Sequence, residues 1–209
     1  MTASLPTVFI VDDDASVLKA VARLLRSAGF KTALFSSAQQ FLDEHDANAS
    51  GCLVLDVAMP KMNGLALQQS LIAQNSDLPI IFLTGHGDIP MSVRAIKHGA
   101  VDFLTKPVND SDLISAIQNA IESNRIAGQA RSKLNELQQR LATLTPRERE
   151  VLSHVVSGQK NKQIALDLGT VEKTIKVHRA HLMVKLQVKS LAELVKLSER
   201  LGIMSSPLE

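Results

Sequence analysis

The stretch CLVLDVAMPKMNG, running from Cys52 to Gly64, decides the fold of the first half of the chain. A short apolar run bounded by turn residues reads as a strand buried on both faces, the mark of a parallel sheet. One acid, Asp56, ends that run, and a Pro-Gly turn follows it. Working outward, three more polar groups each follow an apolar run: Asp12, Asp13 and Asp14 after VFIV, Thr84 after PIIFL, and the pair Lys106 and Pro107 after VDFLT.

The runs at 8–11, 31–35, 52–56, 79–84 and 101–105 alternate with amphipathic segments near 16–28, 37–44, 64–75, 90–98 and 110–124. Five strand-helix units of this length predict an α/β doubly wound, five-stranded parallel sheet, because right-handed crossovers lay helices over both faces. In such sheets the site lies beyond the carboxyl ends of the strands. The aspartates, the threonine and the lysine all fall there.

From residue 113 to 141 the pattern is helical and polar, which predicts a long last helix continuing as a linker over 125–142. Gly128 in its middle weakens a helix by about 1 kcal/mol relative to Ala and marks a place for a break. Leu134, Leu137 and Leu141 have the spacing of a helix-helix seam or of core packing. The segment LTPREREVL then opens a new unit: Thr145 as N-cap, Pro146 at the first helical position and Glu148 three residues on form a capping box. Four short helices are expected near 146–157, 161–168, 172–186 and 190–201. The domains are therefore 1–124, a linker helix and an all-α four-helix unit over 143–209.

Charge divides the same way. Residues 1–124 carry 8 Lys and Arg against 13 Asp and Glu, a balance of −5, whereas residues 125–209 carry 15 against 8, a balance of +7. An acidic half points to cation binding and a basic half to a polyanion partner. The absence of Trp and Tyr argues against base stacking or aromatic cages. The single cysteine, Cys52, heads an apolar run and reads as a buried, inert thiol. The first fifteen residues lack the pattern of a signal peptide, and no apolar run is long enough to span a bilayer, so a cytoplasmic location without membrane attachment is expected.

Asp12 and Asp13 at one strand end and Asp56 at another would place three carboxylates within a few ångströms. Such acids repel unless a hard divalent cation with oxygen ligands sits among them, and magnesium is the natural occupant. A site of this kind suits phosphoryl transfer with Asp56 as nucleophile, Lys106 pairing with a phosphoryl oxygen and the Thr84 hydroxyl donating to another. In the basic half, 161–187 reads as helix, tight turn at Gly169, helix. Projected at 100° per residue, Ile175, Leu182 and Leu186 form one stripe and Lys173, Lys176, Val177, Ala180 and Val184 lie opposite. Lysines beside small apolar groups suit a major groove, meeting phosphates or guanine acceptors and thymine methyls. Lys162, on the preceding helix, is the further candidate contact.

These residues resemble the receiver domain of two-component response regulators over about 5–124. The resemblance implies Asp56 as phospho-acceptor, magnesium held by Asp12, Asp13 and the backbone carbonyl of Ala58, and Thr84 and Lys106 on the phosphoryl group. It also implies Phe103 as an aromatic switch residue, with a buried strand phenylalanine as the alternative, and it sets His86 at a position where the family tunes hydrolysis, although a solvated loop histidine is the preferred reading. Asp14 is assigned instead to capping the helix near Ser16. Residues 143–203 are similar to the LuxR-type effector domain, and with GHGDIPMSVRAIKHGAVDFLTKP (85–107) the whole chain resembles the FixJ subgroup. The resemblance implies a flavodoxin-like receiver, a sensor histidine kinase, promoter DNA, a phosphorylation-dependent homodimer and RNA polymerase as partner.

Three departures stand out. Thr170 then Val171 reverses the family's usual order before the recognition helix, and Gln187 replaces its helix-ending Gly; both put the helix ends in question. Arg179 projects near the apolar stripe and is expected to pair with Glu148 or Glu150. The competing enzyme class, an aspartyl-phosphate phosphatase, needs a second acid two residues after the nucleophile, where this chain has Ala58.

Overall fold

The computed structural model describes residues 6–46, 50–85 and 89–203. In chain order the elements are β1 (Thr7–Val11), α1 (Ala15–Ser27), β2 (Lys31–Phe35), α2 (Ala38–Glu44), β3 (Gly51–Leu55), α3 (Gly64–Ala73), β4 (Ile80–Thr84), α4 (Ile89–Lys97), β5 (Asp102–Thr105) and α5 (Asp110–Ala142). They are followed by α6 (Pro146–Val156), α7 (Asn161–Asp167), α8 (Glu172–Leu186) and α9 (Leu191–Arg200). Two compact units divide the chain, 1–127 and 128–209.

In the first unit all strands are parallel, in the order β2-β1-β3-β4-β5. This is the flavodoxin-like doubly wound order, whose switch point lies between β1 and β3. Successive side chains of a strand point to opposite faces, so β1 feeds two cores at once. Phe9 and Val11 join Phe41, Leu53, Leu67 and Phe82 on one face. Val8 and Ile10 join Leu25, Val54, Ile81 and Ile117 on the other. Every residue of β1, β3 and β4 is buried, which is why their sequences are continuous apolar runs rather than alternating ones.

Helix starts follow their caps. The Asp14 carboxylate accepts from the Ser16 N–H at 2.7 Å and opens α1, and hydrogen bonds from Ser16 hold its carboxyl below the usual value. Cys52 is fully buried, and burial pushes its thiol up to about 12. Helix α5 runs 33 residues without interruption, so the break considered at Gly128 does not occur: one glycine is outweighed by the good helix formers that flank it, Ala127, Gln129, Ala130 and Arg131.

In the second unit α6 to α9 surround a core of Leu144, Val151, Leu152, Ile164, Ile175, Leu182, Leu186 and Leu194. Leu137 and Leu141 pack against it, whereas Leu134 is exposed. The leucine spacing is thus mainly core packing. The capping box forms: Thr145 Oγ1 accepts from the Glu148 N–H and the Glu148 carboxylate accepts from the Thr145 N–H at 2.8 Å. Val171 caps α8 without a side-chain bond. Gln187 ends α8 in the left-handed conformation, φ 55°, and its N–H still reaches the Met183 and Val184 carbonyls. The last turn is complete although glycine is missing, at the expense of a conformation that L residues adopt rarely.

Candidate phosphoryl site and groove-facing helix

The acidic site grows from the sheet register. Val11 and Leu55 are partners on the adjacent strands β1 and β3, so the residues after them, Asp12 and Asp56, leave the sheet side by side. Thr84 ends the neighbouring β4, and its carbonyl accepts from the Lys106 N–H at 2.8 Å. Lys106, just beyond β5 and joined to Pro107 by a cis peptide, returns its side chain across β4 to the acids. Its Nζ donates to Asp12 Oδ2 at 2.6 Å and to Asp56 Oδ1 at 2.8 Å. The remaining oxygens accept backbone donors: Asp12 Oδ1 from Asp14 N–H at 2.9 Å, and Asp56 Oδ2 from Ala58 N–H at 2.6 Å.

Two carboxylates, each about 5% exposed, share one ammonium. Burial raises the Asp12 carboxyl above its ordinary value despite the bonds from Lys106 and Asp14, and repulsion from Asp56 adds to the rise. Burial alone would lower Lys106, but its bonds to Asp12 and Asp56 outweigh that and raise it. A pocket with one anionic charge too many, lined by oxygens, fits a hard divalent cation. Asp13, next along the chain, is exposed, and among the described residues no group of three metal-ligating side chains is drawn together. The expected trio of carboxylates is here a pair held by lysine.

Thr84 is buried, 1% exposed. Phe103 is half-buried on β5, packed against the core with its ring 6.0 Å from that of Phe82 at a tilted angle. Ala58 is exposed beside Asp56. His86 lies outside the described residues.

Sequence reading missed Gly64 and Gln68. A Cβ on Gly64 would stand 2.2 Å from the Asp56 carbonyl oxygen and 3.1 Å from the Phe82 ring, so only glycine lets the start of α3 close on the backbone of Asp56. The Asn-Gly pair at the end of the turn was its signal. Gln68, a buried amide one turn later, donates to the Ala95 carbonyl in α4 and to the His98 carbonyl just past its end; nothing in its neighbourhood of sequence announces that.

On α8 the projection holds. Ile175, Leu182 and Leu186 are buried, while Lys173, Lys176, Val177, Ala180 and Val184 are exposed. Lys162 is exposed on α7. Lys176 pairs with Glu172 one turn earlier at 2.9 Å. Polar bonds from the opposite side fix the helix. Arg179 Nη1 donates to Asn161 Oδ1 at 2.9 Å; its expected partners are taken, Glu150 by Arg147 and Glu148 by Lys185. Lys185 Nζ reaches the buried Glu148 carboxylate at 2.6 Å and the Thr143 carbonyl at 3.2 Å. Burial would raise Glu148, but the bonds from Lys185 and Thr145 hold it below the usual value.

A doubly wound sheet with an acid pair and a lysine at its carboxyl end, joined in one chain to a helix-turn-helix unit, defines a class: a phosphorylation-controlled DNA-binding regulator. Residues 8–118 match the response regulator receiver domain and residues 142–198 match the bacterial regulatory proteins of the luxR family; the chain belongs to the response regulators that combine these two domains. It is 47% identical over 197 residues to the response regulator protein TodT of Pseudomonas putida, covering 93% of this chain and 86% of that one. It is 42% identical over 198 residues to the transcriptional regulatory protein FixJ of Bradyrhizobium diazoefficiens, covering 95% and 97%. Among solved structures it resembles the response regulator StyR with a TM-score of 0.88 and 48% identity, covering 94% of this chain and all of that one.

Phosphorylation-dependent regulation of transcription is the role of this family, its receiver implies a sensor kinase and its effector domain implies DNA binding. Receiver domains generally use magnesium. The domain pair fits a non-enzymatic regulator. No helix of the described residues is long and apolar enough to cross a membrane.

Proposed function

We propose that Asp56 is the phospho-acceptor of a two-component transcription regulator. The observation that carries this reading is the Lys106 ammonium lodged between Asp12 and Asp56 at 2.6 and 2.8 Å, poised to follow charge from a carboxylate to a phosphoryl oxygen. An Asp56 carboxylate oxygen attacks phosphorus in line; the P–O bond forms as the bond to the donor breaks, and its electron pair leaves with acetate or with the imidazole nitrogen of a sensor histidine kinase. Asp12, Asp56 and the Ala58 carbonyl, with Asp13 from its exposed position, would hold Mg2+. Bound there, the cation neutralises charge on the phosphoryl oxygens. Lys106 pairs with one of those oxygens and the Thr84 hydroxyl donates to another.

Thr84 and Phe103 carry the change outward through β4 and β5, and the receiver then favours a homodimer. Exposed apolar residues support such a face: Ile89, Val93 and Ile96 on α4 and Val101 before β5 are each at least 45% exposed. Pairing two effector domains lets Lys173, Lys176 and Lys162 meet phosphates while Val177 and Ala180 meet base edges in adjacent half-sites of promoter DNA, beside RNA polymerase in the cytoplasm. Ala58, lacking a carboxylate to activate water, leaves autodephosphorylation slow.

Incubation with acetyl phosphate and magnesium, followed by intact mass, tests the reading. One phosphoryl adduct is expected, lost with EDTA and in Asp56→Asn. An adduct that survives Asp56→Asn overturns the assignment.

A further inference from the structure

Helix α4 is held very unequally at its two ends. Ala95, near its C-terminus, is its one buried residue; Met91, nearer its start, is only partly buried against the core, and Ile89 at its start is 80% exposed. The C-terminal end also receives the Gln68 amide, whose Nε2 donates to the Ala95 carbonyl at 3.1 Å and to the His98 carbonyl at 3.3 Å. Gln68 itself is 2% exposed. The last carbonyls of a helix have no partner within it, and a buried amide reaching them from another element replaces solvent at that end. Local bonds tighten the same point: the Ala100 N–H returns to the Ala95 carbonyl at 3.1 Å and the Gly99 N–H to that of Ile96 at 2.9 Å.

Gln68 is fixed in turn to the phosphoryl site. It lies one turn after Gly64, whose N–H donates to the Val57 carbonyl at 3.0 Å and whose Cα is pressed against the Asp56 backbone. Its neighbours Leu67 and Leu71 are buried in the core beneath β3 and β4. Helix α3 therefore forms one body with the Asp56 strand, and through Gln68 that body grips the far end of α4. The near end of α4 follows Thr84 by five residues in the chain.

We propose that Gln68 is a positioning residue that makes the C-terminal end of α4 a pivot. Resting on the reading of Asp56 and Thr84 above, a pull on the chain after Thr84 swings the N-terminal end of α4 while its C-terminal end stays with α3. With about 1.5 Å of rise per residue, Ile89 stands roughly 10 Å along the axis from the pivot and Lys97 within about 2 Å of it. The exposed apolar residues near the start of α4 are then the ones repositioned, and Ile96 is displaced least. A pivot converts a small movement of the threonine into a change of angle of the surface that α4 presents.

Cys52 is buried and unreactive, so introduced cysteines can carry spin labels selectively. Ile89→Cys and Lys97→Cys, each paired with Gln39→Cys on α2, are measured in full-length protein diluted into unlabelled chains, before and after acetyl phosphate with magnesium. The distance shift is expected to be several-fold larger from position 89 than from 97; equal shifts, or a larger one at 97, overturn the pivot. Amide exchange on the unphosphorylated protein tests the grip independently. Gln68→Leu is expected to lower protection at His98 and Ala100 while the amides of β3 and β4 keep theirs. Unchanged protection at those two amides sinks the proposal even where the Asp56 adduct forms normally. Absence of the adduct by intact mass sinks the phosphorylation reading instead, and the exchange result still decides whether Gln68 anchors α4.

Discussion

The two sites of this chain are built in opposite ways. At the acidic site the functional groups are buried, mutually repelling and held by strand ends; Asp12 and Asp56 are each about 5% exposed with one lysine between them. On α8 the candidate groups are exposed, and the buried Glu148 with its partner Lys185 lies behind the helix as its support. Electrostatic tension thus resides inside the first site and outside the second. The receiver domain holds two buried acids against one lysine, whereas the effector domain keeps the lysines of α8 exposed. Substitutions should separate the two designs.

The largest effect is expected at Gly64. Gly64→Ala sets a methyl group 2.2 Å from the Asp56 carbonyl oxygen, a backbone atom that cannot swing away. Overpacking of this kind destabilises by about 3 kcal/mol. Urea titration should show it, and hydrogen exchange should confine the loss to residues 1–127. A loss spread evenly into α6 to α9 would contradict a local clash.

Next is the support behind α8. Lys185→Met leaves the Glu148 carboxylate buried without its ammonium; because Lys185 is itself 34% exposed, the cost is discounted from that of a fully buried pair to about 2 kcal/mol. Glu148→Gln in the same chain should restore much of it, since an amide carries no charge to bury. The sign of the pH dependence follows from the lowered Glu148 carboxyl. A depressed folded value contributes stability above the unfolded value, 4.5, and loses it as pH falls through the folded value. The second unit of the native chain should therefore weaken below about pH 4.5, and the double variant should show a flatter profile over that window.

Which parts of this were legible in the sequence follows from the same contrast. Continuous apolar runs and their terminal acids placed the sheet, Asp56 and Lys106, because a parallel strand must be apolar on both faces and its site must lie past its end. The α8 stripe was readable because a helix projects its residues at a fixed angle. Long-range polar partners were not readable. Arg179 meets Asn161 rather than Glu148, and Lys185 takes the place beside Glu148, because helix periodicity fixes a face but not which residue on the facing helix is level with it. The same ignorance hid Gln68. Nor did the strand ends announce that Lys106 would sit between Asp12 and Asp56, or that Asp12 is buried while Asp13 is exposed.

A smaller effect, of opposite sign, is expected at Asp12. Its raised carboxyl means that the folded state binds the proton more tightly than the unfolded chain, so the ionised form lowers stability at neutral pH and relief comes as pH falls through the raised value toward 3.8. Asp12→Asn keeps an acceptor for the Asp14 N–H and leaves Lys106 with one acid. The variant should be more stable than the native chain at pH 7, as thermal unfolding would register. Magnesium-dependent formation of the phosphoryl adduct should be lost at the same time. A destabilised variant would mean that the lysine bond outweighs the charge imbalance.

The smallest effects belong to the exposed helix, where no buried group is disturbed. Lys173→Ala should weaken binding to DNA sites selected from a random duplex library and reduce the slope of log affinity against log salt by about one unit, one phosphate contact's worth. Lys176→Ala should do less, because Lys176 must first give up Glu172 at 2.9 Å; Glu172→Gln should accordingly strengthen binding. Val177→Ala should leave the salt slope unchanged, since it removes no charge. Its loss should appear only against sites whose thymine methyl it meets, and replacing that thymine by uracil should lower native affinity by about four-fold, the worth of one buried methyl-sized group. The uracil site should then bind native and Val177→Ala chains alike. A change in salt slope with Val177→Ala would mean that this face is not docked as an undistorted helix, and the opposition between a buried acid pair and an exposed helix face would fail at its second term.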